Sequence, residues 1–152
     1  MDDKCTDSST SVVSGADEDM AAFLRDTVQE FDCSSGTLHR KKGDELKIVA
    51  HKGIPESVLA RTETIPIGKG MAGLAAKRME PVEVCNLQTD DSGVAESRAR
   101  DTGMEGSIAA PIIGQDDTLK GTIGVAKPEP YEFTAAERDR LMNTAAQIAH
   151  RL

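Results

Sequence analysis

Two pairs of strand-like segments, each joined by a tight polar turn, constrain this chain more than any other feature. The first pairs Ser35-Gly36-Thr37-Leu38-His39-Arg40 with Leu46-Lys47-Ile48-Val49-Ala50 across Lys41-Lys42-Gly43-Asp44-Glu45. The second pairs residues 107–113 with 119–126 across a polar turn at 114–118. Connections this short join antiparallel neighbours, because a parallel return needs a crossover of a dozen or more residues. A mainly antiparallel sheet follows, and helices must cover its apolar surface, which makes the fold class α+β. Pro111 lacks an N–H, so its strand must place it at an edge, a bulge or a strand end.

The covering helices are legible at both ends. Met20, Phe23, Leu24, Thr27, Val28 and Phe31 recur at helical spacing, and Asp17, Glu18 and Asp19 put negative charge at the positive end of the dipole. At the other end Thr134 precedes Glu137 by the three residues of a capping box, and Leu141, Ala145, Ile148 and Leu152 share one face. Between them Gly53 and Pro55 break the second strand, a short helix is predicted over 55–61, another over 71–79, and a short strand over 81–84. Residues 85–106 carry little sustained apolar content and many turn formers, Asp90-Asp91-Ser92-Gly93 among them, with a helical turn or two predicted over 94–101. That stretch reads as a long, lid-like excursion. Residues 1–16, mostly Ser, Thr, Asp and Gly, read as a disordered arm before a single domain at 17–152.

Composition removes several classes of function. A chain of 152 residues is long enough for one core, and no apolar run in it approaches the length of a membrane span. The N-terminus lacks a basic patch followed by an apolar stretch, so a cytoplasmic protein is expected. Three cysteines, Cys5, Cys33 and Cys85, form no Cys-x-x-Cys pair, which argues for reduced thiols and against a metal site. A net charge of −8 repels a phosphate backbone, and no basic stripe offsets it. With no Trp, and only Tyr131, Phe23, Phe31 and Phe133 as aromatic rings, a large planar cofactor would find few walls, and no cofactor is expected.

Gly68-Lys69-Gly70-Met71-Ala72-Gly73 satisfies the dinucleotide fingerprint, with Asp90 and Asp91 at roughly the spacing of a ribose contact. Its context contradicts that function. A buried parallel strand should precede it, whereas Arg61-Thr62-Glu63-Thr64-Ile65-Pro66-Ile67 is polar and interrupted by proline. Gly68 and Gly70 are better explained by an unusual backbone path, and Gly73 by close helix packing.

The order of motifs resembles that of a GAF domain, the ligand-sensing module of phosphodiesterases, sensor kinases, nitrogen regulators and phosphotransferase-system enzymes. Four segments carry the resemblance: Ser34-Ser35-Gly36-Thr37-Leu38; Ile65-Pro66-Ile67 running into the glycine cluster; Ser107-Ile108-Ala109-Ala110-Pro111-Ile112; and Gly121-Thr122-Ile123-Gly124-Val125 leading to Phe133-Thr134-Ala135-Ala136-Glu137. It implies a central antiparallel sheet of five or six strands, terminal helices on one face, and short helices plus the 85–106 lid enclosing a pocket on the other. Family members bind cyclic nucleotides, tetrapyrroles, haem, small acids or amino-acid-derived compounds there. This chain departs from the cyclic-nucleotide pattern, with Ala126 in place of Asn and Glu137-Arg138 at the acidic pair, although Lys127 and Phe133 remain. It has no cysteine between Asn86 and Gly106 for a bilin, and Ala72 stands where sulfoxide-reducing relatives carry a cysteine in the glycine turn.

The resemblance implies a sensory domain, not an enzyme, in bacterial-type signal transduction. Its candidate ligand contacts are Met71, Ser107, Ile108 and Ile123 on the walls, with Arg98, Arg100 and Asp101 in the lid. The apolar members of that set equally suit an ordinary core, and the charged ones a solvated loop. The expected partners are a small molecule, a second copy of the chain through the terminal helices, and an output protein. Two alternatives stand beside it: a thiol-dependent sulfoxide reductase using Cys85, and a ligand-free dimerisation scaffold.

Overall fold

The computed structural model describes residues 15–89 and 103–152. Residues 1–14 of the expected arm lie outside it, as do residues 90–102, which hold the Asp90-Asp91-Ser92-Gly93 turn and the helical turn expected over 94–101. The described elements are α1 (Gly15–Glu30), β1 (Ser35–Lys42), β2 (Glu45–Lys52), α2 (Glu56–Thr62), β3 (Thr64–Pro66), α3 (Gly70–Arg78), β4 (Val82–Val84), β5 (Gly106–Ile113), β6 (Leu119–Lys127) and α4 (Ala135–Ile148), which ends in a 3-10 turn. The strands form one six-stranded sheet in the order β3-β2-β1-β6-β5-β4, every pair antiparallel. Both hairpins expected from the turns are present.

Two boundaries differ from expectation. Helix α1 begins at Gly15, inside the stretch assigned to the arm. Strand β3 was not anticipated, because it is three residues long, follows a polar stretch and ends in proline. An edge position tolerates that: β3 pairs only with residues 45–47 of β2, and the chain leaves the ladder directly after Pro66. Pro111 meets the same requirement at the opposite edge, since the pairing of β4 with β5 stops at Ala109.

Helices α1 and α4 cover one face of the sheet. Met20, Leu24, Val28 and Phe31 of α1 and Leu141, Ala145 and Ile148 of α4 pack with Leu38, Ile108, Ala110, Ile112, Ile123 and Val125 in one buried cluster. The helical spacing in the sequence is therefore the spacing of this contact. Helix α3 covers the other face through Ala75 and Ala76, small residues that let it lie close to Val82 and Ala109 on one side and to Leu46 and Ile65 on the other.

The two terminal helices meet at the segment after β6. Lys127 is 5% exposed, and its ammonium donates to the carbonyls of Phe31 (3.0 Å) and Asp32 (2.9 Å) at the end of α1 while lying 4.5 Å from the centre of the Tyr131 ring. Removing an ammonium from water costs several kcal/mol. Helix-end carbonyls and an aromatic face return a comparable amount between them. The Tyr131 hydroxyl donates to Glu137, whose carboxylate also accepts from the Thr134 N–H (2.8 Å), while the Thr134 hydroxyl accepts from the Glu137 N–H (3.1 Å). The capping box read from the sequence is complete, and it extends through Tyr131 and Lys127 to the end of α1.

Partial burial pushes the Glu137 carboxyl up, but the Thr134 and Tyr131 hydrogen bonds and the Lys127 charge outweigh it and hold its pKa below the ordinary 4.5. A lowered carboxylate pKa stabilises the fold above the unfolded value, and that contribution is lost as pH falls through the folded value. Thr134→Ala should cost about 1 kcal/mol in urea unfolding at neutral pH. Glu137→Gln keeps the shape of the cap and removes its charge, so its stability deficit should be full at neutral pH and close as pH falls below 4.5.

Candidate functional site

Side chains alternate along a strand, so the two faces of the sheet have separate compositions. The face toward α1 and α4 is filled by branched residues. The face toward α2 and α3 carries Ser35 and Thr37 from β1, Ser107 and Ala109 from β5, and Gly124 and Ala126 from β6. Register sets these in two rows, Ser35 and Ser107 flanking Ala126, Thr37 and Ala109 flanking Gly124. None is larger than threonine, and the helices above do not close onto them. What remains is a cavity of about 130 Å³. Its walls are Ile54, with Val58 and Thr62 of α2, Ile65 of β3, Gly70, Met71 and Ala72 in the first turn of α3, and Leu87 just beyond β4.

Gly124 differs from its neighbour Gly121 in a way that bears on function. A Cβ on Gly121 would lie 2.1 Å from the His39 carbonyl oxygen, so no side chain is possible there while β1 and β6 pair. A Cβ on Gly124 would meet nothing nearer than 3.6 Å, and its φ is outside the left-handed region. The fold does not require glycine at 124. Glycine within a strand costs roughly 0.5–1 kcal/mol relative to alanine, and what the missing side chain leaves is open floor.

The polar side chains around this space are hydroxyls, each able to donate or to accept. Ser35 is 2% exposed, and the hydroxyls of Ser35, Thr37 and Ser107 have no hydrogen-bond partner among the described residues. The first turn of α3 adds the N–H groups of Gly70, Met71 and Ala72, which have no intrahelical acceptor, and the N-cap Lys69 supplies no side-chain cap. Among the described lining residues there is no charged side chain. His39 lies on the same sheet face one row beyond the floor; it is buried, and its Nε2 donates to the Thr62 carbonyl (2.8 Å), bracing the end of α2. The Thr122 hydroxyl opposite it is buried without a partner among the described residues.

The glycine cluster is a structural turn. Gly68 and Gly70 have φ of 102° and 69°, and the Gly73 Cβ position lies 2.5 Å from the Pro66 carbonyl, which only glycine permits. The amides of Ile67, Gly68 and Lys69 donate to Asp44, Gly73 and Pro66 carbonyls, so they cannot cradle a pyrophosphate. The strand before it is a three-residue edge strand, unlike the buried parallel strand of a dinucleotide fold.

Of the residues expected to contact a ligand, Met71 and Ser107 line the cavity, and Ile108 borders it although its side chain packs in the core under the terminal helices. Ile123 does neither: the pleat turns it to the opposite face, where it is fully buried against the terminal helices. Arg98, Arg100 and Asp101 lie outside the described residues. Cys85 is exposed beyond β4 and is not among the lining residues. Burial pushes the Cys33 thiol up to about 11, against a smaller opposing pull from Lys127. The floor residues Ser35, Thr37, Ala109, Gly124 and Ala126 were not anticipated as a site, although the period of two that revealed the strands also places these small residues on one face. Among the described residues no group of three or more His, Cys, Asp or Glu is placed to hold a metal ion, and no helix is long and apolar enough to cross a membrane.

A family model for the GAF domain matches residues 17–152. The fold is similar to that of the GAF domain from a phosphoenolpyruvate-protein phosphotransferase of Coxiella burnetii, at 18% identity and a TM-score of 0.75, covering 92% of this chain and 83% of that one. The corresponding domain from Acinetobacter gives 15% identity and a TM-score of 0.73, covering 93% and 83%. The type II free methionine-R-sulfoxide reductase of Thermoplasma acidophilum gives 17% identity and a TM-score of 0.72, covering 90% and 91%. At these identities the likeness is one of fold. No curated protein sequence matches the chain.

Two glycine substitutions test whether the open floor is incidental to folding. Gly124→Ala should leave the thermal midpoint unchanged or raise it, by up to about 1 kcal/mol of added stability. Gly121→Ala should destabilise by roughly 2 kcal/mol or more, because the pair of central strands must part to admit the methyl group. For the thiols, alkylation of the folded protein should modify Cys85 well before Cys33, because the thiolate is the reactive form and Cys33 holds its proton.

Proposed function

The chain belongs to the GAF domain family, and we propose that it is a regulatory module that takes a small molecule into the cavity over Gly124 and signals its occupancy through α1 and α4. The observation that carries this reading is Gly124 itself. A glycine that no backbone angle and no close neighbour demands stands in a central strand, and a cavity lined with unpaired hydroxyls opens above it.

A route from the cavity to the terminal helices supports the signalling half. Leu87 lines the cavity, and its N–H donates to Glu105 (2.7 Å), closing the base of the 85–106 excursion. Glu105 N–H donates to the Lys127 carbonyl (2.8 Å), and Tyr131 N–H to the Cys85 carbonyl (3.0 Å). Arg138 of α4 pairs with Glu83 of β4. The side chains of Lys127 and Tyr131 then reach the end of α1 and the start of α4. A ligand that moves Leu87 therefore acts on the segment that holds both helices, and a change in their packing is what a second copy or an output protein would read. In this reading the exposed faces of α1 and α4 form a homodimer.

The reductase alternative draws on the likeness to a sulfoxide reductase, but it needs a nucleophilic thiol at the cavity, and Cys85 is exposed away from the lining. A native mass spectrum before and after incubation with cell extract separates the readings. The wild-type chain should gain a small-molecule mass, Cys85→Ser should gain it equally, and Gly124→Val, which fills the floor, should not. No gain by any of the three would leave a scaffold with an empty cavity; turnover of a sulfoxide that Cys85→Ser abolishes would establish the enzyme.

A further inference from the structure

Resting on the cavity as the binding site, we infer that its ligand is a short carboxylic acid, bound as the anion with its carboxylate at the N-terminus of α3 and its hydrocarbon part against Ile54, Val58, Ile65 and Leu87. Size sets the first limit. A dry cavity of about 150 Å³ accepts benzene, and drug-sized ligands occupy roughly 300 Å³ or more. At about 130 Å³ this cavity suits about six to eight non-hydrogen atoms. A cyclic nucleotide, a haem or a linear tetrapyrrole exceeds it severalfold.

Hydrogen-bonding capacity sets the second. The first turn of α3 presents the uncapped N–H groups of Gly70, Met71 and Ala72 at the positive end of the helix dipole. Independently of that helix, Ser35, buried to 2% exposure, turns an unpartnered hydroxyl into the same space from the facing sheet, with Thr37 further along β1 and Ser107 on the far side of β6. Two carbonyls nearby already accept one hydrogen bond each, that of Thr62 from His39 and that of Leu59 from the Thr62 hydroxyl. No carboxylate stands among the described lining side chains. Three N–H groups that can only donate, with hydroxyls free to turn their protons the same way, match a group that only accepts. A carboxylate is such a group, with about four lone-pair positions and no proton to donate.

An ammonium would find no anionic partner among the described lining residues, so a free amino acid is a poorer match to them than the corresponding simple or hydroxy acid. The chain's net charge of −8 does not prevent entry, because exposed charges are screened over about 8 Å at physiological ionic strength while the helix end acts at contact.

Calorimetric titration of the intact chain with isobutyrate, isovalerate and valerate, each beside its primary amide and alcohol, tests the assignment. At least one carboxylate should bind tenfold or more tightly than its amide and alcohol. Ser35→Ala should weaken that binding about three- to tenfold, and Gly124→Val should abolish it while melting no lower than wild type. Equal binding of an amide or alcohol would overturn the carboxylate assignment and leave the cavity as the site. Binding of none of the probes, with a mass gained from extract, would overturn the assignment in the same way. Binding of none with no mass gained would remove the ligand site itself. Carboxylate binding unchanged in Gly124→Val would place the ligand elsewhere and overturn the inference.

Discussion

The antiparallel pairing of β1 with β6 is the constraint from which the rest of the molecule follows. These strands lie more than eighty residues apart and belong to separate hairpins, and their contact alone joins β3-β2-β1 to β6-β5-β4 in one sheet. Gly121 admits it by leaving room for the His39 carbonyl. Once Leu38 stands opposite Ile123, Thr37 must stand opposite Gly124. One register therefore fixes both faces: branched side chains that fill the space under α1 and α4, and small ones that leave space under α2 and α3.

The unequal filling of the two faces separates stability from function. The face under the terminal helices holds Met20, Leu24, Phe31, Phe133 and Leu141 in a continuous core. The other face is held by two small clusters around Ala75 and Ala76 at either side of the floor, so the hollow between them is bordered without being bridged. Hollowing a core costs stability, by about 24 cal/mol for each Å³ in large-to-small substitutions. A fold with its main core on the other face can bear such a hollow. The junction at Lys127, Tyr131 and Glu137 lies where the two faces meet at the end of β6, and it ties the ends of both terminal helices to the base of the excursion.

Much of the fold was legible in the sequence because it rests on local rules. Thr134 and Glu137 mark the start of α4 by their own hydrogen bonds, the tight turns at 41–45 and 114–118 dictate antiparallel hairpins, and the spacing from Met20 to Phe31 records one helical face. Strand β3 was missed because three residues at an edge, ending in proline and following a polar stretch, are too few to show a period. The candidate site was legible only in part. Of the residues named through the family resemblance, Met71 and Ser107 line the cavity, whereas the pleat turns the side chains of Ile108 and Ile123 to the opposite face. Gly124 stands in the Gly121-Thr122-Ile123-Gly124-Val125 segment, where nothing in the sequence separates it from Gly121. Only the three-dimensional positions of Ile108, Thr37 and Ala109 show that a side chain there would have room, and that fact has no signature in one dimension.

The central claim is that the sheet face under α2 and α3 is hollow by construction. A crystal structure determined under xenon pressure measures this directly, since the gas enters preformed apolar space and scatters strongly. The account predicts a bound xenon atom above Gly124, between Thr37 and Ala109, with Ile54, Met71 and Leu87 standing back from the floor. Those three side chains packed onto Gly124, with no xenon between, would contradict it.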